Sequence, residues 1–383
     1  MDNLQLYYAT NRRHIGNDRW NPERYGTDFS TDGLENLRFG RVELEVDPKE
    51  LSRFIKARLR HGSGDGEGLA NYLGNVAGDR RKIAVQAFEE HLEPTLSDVN
   101  QPATAVWGSA EMFDELREAM LVSTDVLAFV HGFNVNWEQA VGTALALQAM
   151  LNTDTGKTHS RTLVVLFTWP SDGLALPWVS YKSDRADALA SGGALGRGIL
   201  KFRDYLARLR REQKEACNRK VHLLCHSMGA YALECAVAKM QQFSNSRTMP
   251  RLFENVFLCA ADSDDTALES AQPLGRLHEL TRLVTVYHNR YDQALAISES
   301  TKGNPDRLGS LGLARPTLVH HKIEQVDCSE SAPGPIGHSY YLSGCAIQDI
   351  RESLLGTRLS APSQYRVSGA SPNTWVLRAR KRR

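Results

Sequence analysis

Ser227, Asp292 and His338 have the residue types, and the order along the chain, of a nucleophile, an acid and a base. Ser227 closes the apolar run VHLLCH (221–226), and Gly229 follows two places later. This is the second half of the G-x-S-x-G turn, which thrusts a serine hydroxyl into a cleft. The first half departs from that pattern, because Cys225 stands where it has glycine. A thiol side chain is small, so the strand side of the turn loses little room. The plain alternative is that Ser227 caps the helix that begins MGAYALECAVAKM.

A nucleophilic serine needs a base, and the base needs an orienting acid. The loop APGPIGHSYYL supplies His338 and NRYDQAL supplies Asp292, each after a stretch of strand character. Among the other histidines, His131 and His226 flank motif residues, His320 and His321 fall inside an expected strand, and His288 ends a strand close to Asp292. Taking His288 as the base would leave His338 without a role. The cluster CAADSDD offers Asp262 as a competing acid, although such clusters more often serve helix N-termini.

Acyl transfer also needs backbone N–H donors aimed where negative charge grows on the carbonyl oxygen, each typically worth about 3 kcal/mol. The tetrapeptide HGFN (131–134) follows the strand-like VLAFVH, and the amides of Phe133 and Met228 are the donor candidates. Gly132 would let the backbone approach a substrate, His131 and Asn134 would pin the loop, and Gly229 would keep the turn narrow. Further on, WPSDGLALPWVSY carries Trp169 and Trp178 beside Leu174, Leu176 and Pro177. Two readings are open for them: walls of an apolar acyl pocket, or packing of a long helix against the sheet.

The elements that must hold these residues alternate. Buried-strand runs at 126–131, 162–169, 221–226, 255–260, 282–288 and 317–327 are separated by helical patterns at 137–151, 184–211 and 228–242, with a closing helix at 345–355. That alternation implies right-handed crossovers and a mostly parallel sheet with helices on both faces. Residues 4–10 and 41–46 alternate as an antiparallel N-terminal edge would. The reading is one domain over 1–356, with 60–105 an insertion or cap element and 357–383 a polar, basic tail without structure of its own.

Lys plus Arg (46) nearly cancels Asp plus Glu (45), so no overall field favours nucleic acid or an anionic membrane, apart from the terminal LRARKRR. Six scattered cysteines, without C-x-x-C or metal-ligand spacing, read as reduced, buried thiols. The N-terminus has no secretory leader and no stretch is apolar enough for a membrane span, so a cytoplasmic protein without stable membrane insertion is expected.

Taken together, YYATNR near the start, HGFN, FTWPSDG, HSMG, and NRYDQAL followed by GHSYYL resemble a bacterial α/β-hydrolase family of unknown function with an HGFN loop and an HSMG elbow. Tyr181 and Asp184 also fall where that family has a tyrosine and an aspartate. The resemblance runs over roughly residues 4–355 and is weakest across 48–110. It implies the α/β-hydrolase fold, Ser227 as nucleophile, Asp292 as acid, His338 as base, and Phe133 with Met228 as oxyanion donors. The expected activity is hydrolysis of a carboxylic ester or related acyl bond, with a small-molecule or lipid-like acyl substrate and no cofactor or metal. Thioesterase, lipase and amidase activities fit the same residues. From another class, a binding or scaffold protein that keeps the architecture without turnover is the alternative.

Overall fold

The computed structural model describes residues 1–59, 62–92, 100–153, 161–171, 177–211, 219–243, 249–302, 306–332, 337–356 and 363–378. Eleven strands form the main sheet: β1 (Asp2–Thr10), β2 (Arg38–Val46), β3 (Ile83–Ala87), β4 (Asp125–Val130), β5 (Thr162–Thr168), β6 (Lys220–His226), β7 (Phe253–Cys259), β8 (Thr281–His288), β9 (Ile323–Asp327), β10 (Arg366–Ser368) and β11 (Thr374–Leu377). Their order is β10-β11-β9-β8-β7-β6-β4-β5-β1-β2-β3. All pairings from β1 to β11 through the middle of the sheet are parallel. The β1–β2, β2–β3 and β10–β11 pairs at the two edges are antiparallel.

The central strands are apolar on both sides because helices cover both faces. Successive side chains point to opposite faces, and the core divides accordingly. Val126, Val130, Leu223, Cys225, Val256 and Leu258 belong to one buried cluster. With them pack α2 (Gly108–Leu121), α4 (Pro177–Arg211) and α5 (Met228–Phe243). Leu127, Phe129, Leu224 and Phe257 belong to the other. There α1 (Gly66–Ala77), α3 (Trp137–Leu151) and α7 (Gly344–Leu354) supply the covering side chains. A further helix, α6 (Gln293–Lys302), follows β8.

Several expectations need correction. The helix expected from Asp184 begins at Pro177, which places Tyr181 and Asp184 inside it. The strand expected over 317–327 runs only from Ile323 to Asp327. Local turns take the preceding amides, with Leu318 N–H donating to Arg315 O and Ile323 N–H to His320 O. His320 and His321 therefore lie in a turn, where the His320 ring stacks on His278 at 4.0 Å.

The stretch after residue 356 is not a structureless tail across 363–378, since β10 and β11 extend the sheet there. The Arg366 side chain is fully buried and pairs with Asp349 at 2.6 Å and Glu324 at 2.8 Å, while Leu377 is buried in the core. A polar composition hid this segment because its anchor is a charged residue whose partners lie elsewhere in the chain. The basic residues 379–383 lie outside the described residues. The 60–105 stretch contributes α1, packed on α3, and the edge strand β3. Of the cysteines, Cys225, Cys235, Cys259, Cys328 and Cys345 are free and buried, and Cys217 lies outside the described residues. Among the described residues no helix is long and apolar enough to cross a membrane.

Candidate active site

Ser227 stands between the carboxyl end of β6 and the first turn of α5, where open parallel sheets gather their loops. Its φ is 53°, in the left-handed region that costs a non-glycine residue roughly 1–2 kcal/mol. An N-cap residue has extended backbone instead, so this geometry is a strained turn and not an ordinary cap. The backbone is held there from both sides. Ser227 N–H donates to Cys259 O at 3.0 Å, and Ser227 O accepts from Asp262 N–H and Ala230 N–H, each at 3.0 Å.

The flanking glycines are required by close approach. A Cβ on Gly229 would sit 2.6 Å from the carbonyl oxygens of Val130 and His131, and one on Gly132 would sit 2.7 Å from the Ser227 Cβ. Cys225 needs no such exemption. Its side chain is fully buried in the core on the α4 and α5 face, where a small thiol fills space that a glycine would leave open.

His338 Nδ1 and Asp292 Oδ2 are 2.7 Å apart, with the carboxylate fully buried. The other carboxylate oxygen accepts from Ala294 N–H at 3.0 Å and Leu295 N–H at 3.3 Å, so Asp292 also caps α6 and is fixed by it. Asn289 donates to Gly337 O at 3.0 Å and steadies the loop just before the histidine. The His226 ring lies 4.6 Å from the His338 ring, and His226 Nε2 is 3.3 Å from His338 O, which brings the imidazole beside the turn carrying Ser227. Burial opposes a charge on His338, but the Asp292 carboxylate, with smaller contributions from Asp262 and Glu67, outweighs it and raises the pKa above the ordinary 6.5. His226 goes the other way: burial and the neighbouring His338 hold it well below the usual range.

Asp262, the competing acid, engages a different set of groups. It accepts from Tyr181 Oη at 2.8 Å and Ser298 Oγ at 2.5 Å, with Arg185 at 3.7 Å and Arg307 at 3.9 Å. Burial, then the Asp262 charge, pushes the Tyr181 hydroxyl up to about 12. The hydrogen bond that orients His338 thus comes from Asp292, and Asp262 acts on it only through its field.

The HGFN loop is braced by β5 and by the segment after β1. His131 is fully buried, with Nδ1 2.9 Å from Gly132 O and Nε2 2.9 Å from Thr168 Oγ1. Burial and the Arg12 charge push its pKa down to about 3, so it is neutral and its Nε2 can accept. Asn134 has φ 59°, and its N–H donates to Asp184 Oδ2 at 2.9 Å. Ser171 Oγ donates to the same carboxylate and accepts from Val135 N–H at 3.0 Å.

Arg12 ties the assembly together. It is fully buried and donates to Val135 O at 2.7 Å, Thr168 Oγ1 at 2.9 Å and Gly26 O at 3.0 Å. Residue-by-residue reading missed this role, and the only signal was its place in YYATNR.

Trp169 does not wall a pocket. It is completely buried, stacks on His131 at 5.2 Å and donates from Nε1 to His131 O at 3.1 Å, so it supports the loop from beneath. Trp178 falls within α4, but its side chain, like Leu174 and Leu176, lies outside the described residues. The Phe133 ring meets Tyr181 edge-on at 5.7 Å.

A mostly parallel sheet with antiparallel edges and a strained serine turn at the end of a central strand have the form of an α/β-hydrolase. The chain belongs to the family described as "alpha/beta hydrolase of unknown function" (DUF900), whose model matches residues 110–358. No curated protein matches the chain significantly.

Proposed function

We propose that this chain is a serine hydrolase that cleaves a carboxylic ester through an acyl-enzyme. The observation that carries the reading is the 2.7 Å pairing of His338 Nδ1 with the buried Asp292 carboxylate, next to a serine held at φ 53°. With Nδ1 engaged by Asp292, Nε2 of His338 is the nitrogen that exchanges protons. Ser227 Oγ attacks the carbonyl carbon as His338 Nε2 takes its proton. The amides of Met228 and Phe133 donate to the oxyanion. When the tetrahedral intermediate collapses, His338 returns the proton to the leaving alkoxide. A water, deprotonated by the same nitrogen, then releases the acid and restores Ser227. Asp292 holds the tautomer and stabilises the imidazolium throughout.

The chemistry draws on this chain's own groups, with no cofactor or metal, and its substrate is a small or lipid-like acyl compound. Thioesters, lipids and amides use the same machinery, and the choice among them rests on pocket shape. Five free, buried thiols fit a reducing cytoplasm. A fluorophosphonate probe should label Ser227 stoichiometrically, and Ser227→Ala should abolish both labelling and p-nitrophenyl ester turnover. Absence of labelling in the folded wild-type protein would leave the non-catalytic binding reading in its place.

A further inference from the structure

The loops that carry Ser227, Asp292 and His338 meet at one short turn, residues 259–262, where β7 ends. Ala260 has φ 49° there, a left-handed conformation that a non-glycine residue keeps only where its surroundings over-determine it. The turn grips the nucleophile from two sides: Cys259 O accepts from Ser227 N–H, and Asp262 N–H donates to Ser227 O.

The groups that hold Ala260 come from the other two loops. Its N–H is shared between Tyr287 O, on the strand that leads to Asp292, and the hydroxyl of Tyr340, which closely follows His338, each at 3.1 Å. The same hydroxyl donates to Tyr287 O at 2.7 Å. Tyr340 is only 1% exposed, so water does not compete for these bonds, and the hydroxyl uses both its proton and an accepting lone pair in them. Gly309 adds a second tie to the acid loop. Its N–H donates to Ala261 O and its O accepts from Asn289 N–H, each at 2.9 Å, and a Cβ on it would sit 2.2 Å from the Ala260 carbonyl carbon.

We propose that Tyr340 is a positioning residue, whose hydroxyl sets where His338 stands relative to Ser227 by pinning the histidine loop to the turn that grips the nucleophile. This inference rests on the serine-hydrolase reading above. The Asp292 bond ties the imidazole to the acid loop and not to the elbow. The contact of His226 Nε2 with His338 O, at 3.3 Å, is long, so the bonds of Tyr340 are the tighter link between base and nucleophile. A misplacement of about 1 Å can cost roughly 10²-fold in rate, and loss of one tie among several should cost about tenfold.

Kinetics on p-nitrophenyl acetate with the full-length protein test this. Tyr340→Phe removes the link but leaves Ala260 N–H on Tyr287 O, so the chain should fold. Its kcat should fall about tenfold, with KM within about twofold of wild type. Fluorophosphonate labelling should slow in step, and the rising limb of the pH profile should stay in place because His338 keeps Asp292. Tyr205→Phe, which takes a hydroxyl from Asp114 beside the amino ends of β6 and β7, should leave kcat unchanged. In a His338→Ala background Tyr340→Phe should have no further effect, since the group it positions is gone.

Unchanged kcat in Tyr340→Phe overturns the proposal, as does a loss carried by KM, a displaced limb, an equal loss in Tyr205→Phe, or a further loss in the His338→Ala background. Ala260→Gly stands in if Tyr340→Phe fails to fold: glycine frees the turn without removing a hydrogen bond and should lower kcat by about threefold or more, and full kcat would overturn the proposal equally. Wild-type protein that labels at Ser227 while Tyr340→Phe keeps full kcat defeats this inference alone. Wild-type protein without labelling or turnover defeats the serine-hydrolase reading, and this inference with it.

Discussion

Asp292→Asn separates the electrostatic task of this residue from its structural one. Asparagine keeps the shape and can still accept from Ala294 and Leu295 N–H, and it is as good an N-cap as aspartate, so the thermal midpoint should move little. What disappears is the negative charge facing His338. Taking about 4 Å between charge centres and an effective dielectric of about 20, that charge stabilises an imidazolium by roughly 4 kcal/mol. At 1.36 kcal/mol per factor of ten, the loss is about 10³ in rate, and a side-chain amide donating to Nδ1 would add the cost of the wrong tautomer. We expect kcat/KM for a p-nitrophenyl ester to fall by about 10³ to 10⁴.

The pH profile supplies a second, independent readout. In the wild type His338 must lose its proton to act as base, so kcat/KM should rise with pH through a value above 6.5. Without Asp292, burial is the dominant remaining influence, and the rising limb should move to lower pH even as the plateau drops. The same raised pKa has a stability counterpart: its contribution to folding is complete below the unfolded value and is lost as pH rises through the folded one. Activity above one tenth of wild type, or a limb that moves to higher pH, would refute the triad assignment while leaving the fold untouched.

Ser227→Gly should abolish turnover yet raise stability by about 1 kcal/mol, because glycine removes the φ 53° penalty; a lower melting temperature would contradict the strain account. Arg12→Gln strips buried donors from three carbonyl and hydroxyl oxygens and should cost about 3 kcal/mol or more in chemical denaturation. It should also lower kcat more than it raises KM, through a loosened HGFN loop, and a change confined to KM would argue against the bracing role. Cys225→Gly, which restores the general elbow pattern, should destabilise the protein by about 1–2 kcal/mol through a core void and a mobile strand residue and should not increase kcat.

The central strands and the elbow were legible because their signals are local. An apolar run ending in a serine two residues before a glycine constrains its own backbone, and the order of serine, acid and histidine follows from strand order. The acid could be ranked for the same reason: Asp292 sits one loop nearer the histidine than Asp262 does. What was hidden depends on distant partners. Nothing around residue 12 announces that its guanidinium meets Val135 and Thr168, and nothing in 363–378 announces that Arg366 is neutralised by Asp349 and Glu324. Trp169 was ambiguous because an apolar ring after a strand reads identically whether it faces a ligand or a buried imidazole. The turn at 317–322 shows the converse failure, in which β-branched residues and histidines suggest a strand but local backbone bonds win.

The family model begins at residue 110, yet the strut that fixes the HGFN loop comes from residue 12. β1 also shields the flank of β5, pairing Tyr7 with Val165 through Thr10 with Thr168. An excised 110–358 piece would carry every proposed catalytic side chain and still bare an unpaired strand to its neighbours. It should therefore be recovered as aggregate, so a form that stays in solution must extend well beyond the stretch that the family model matches.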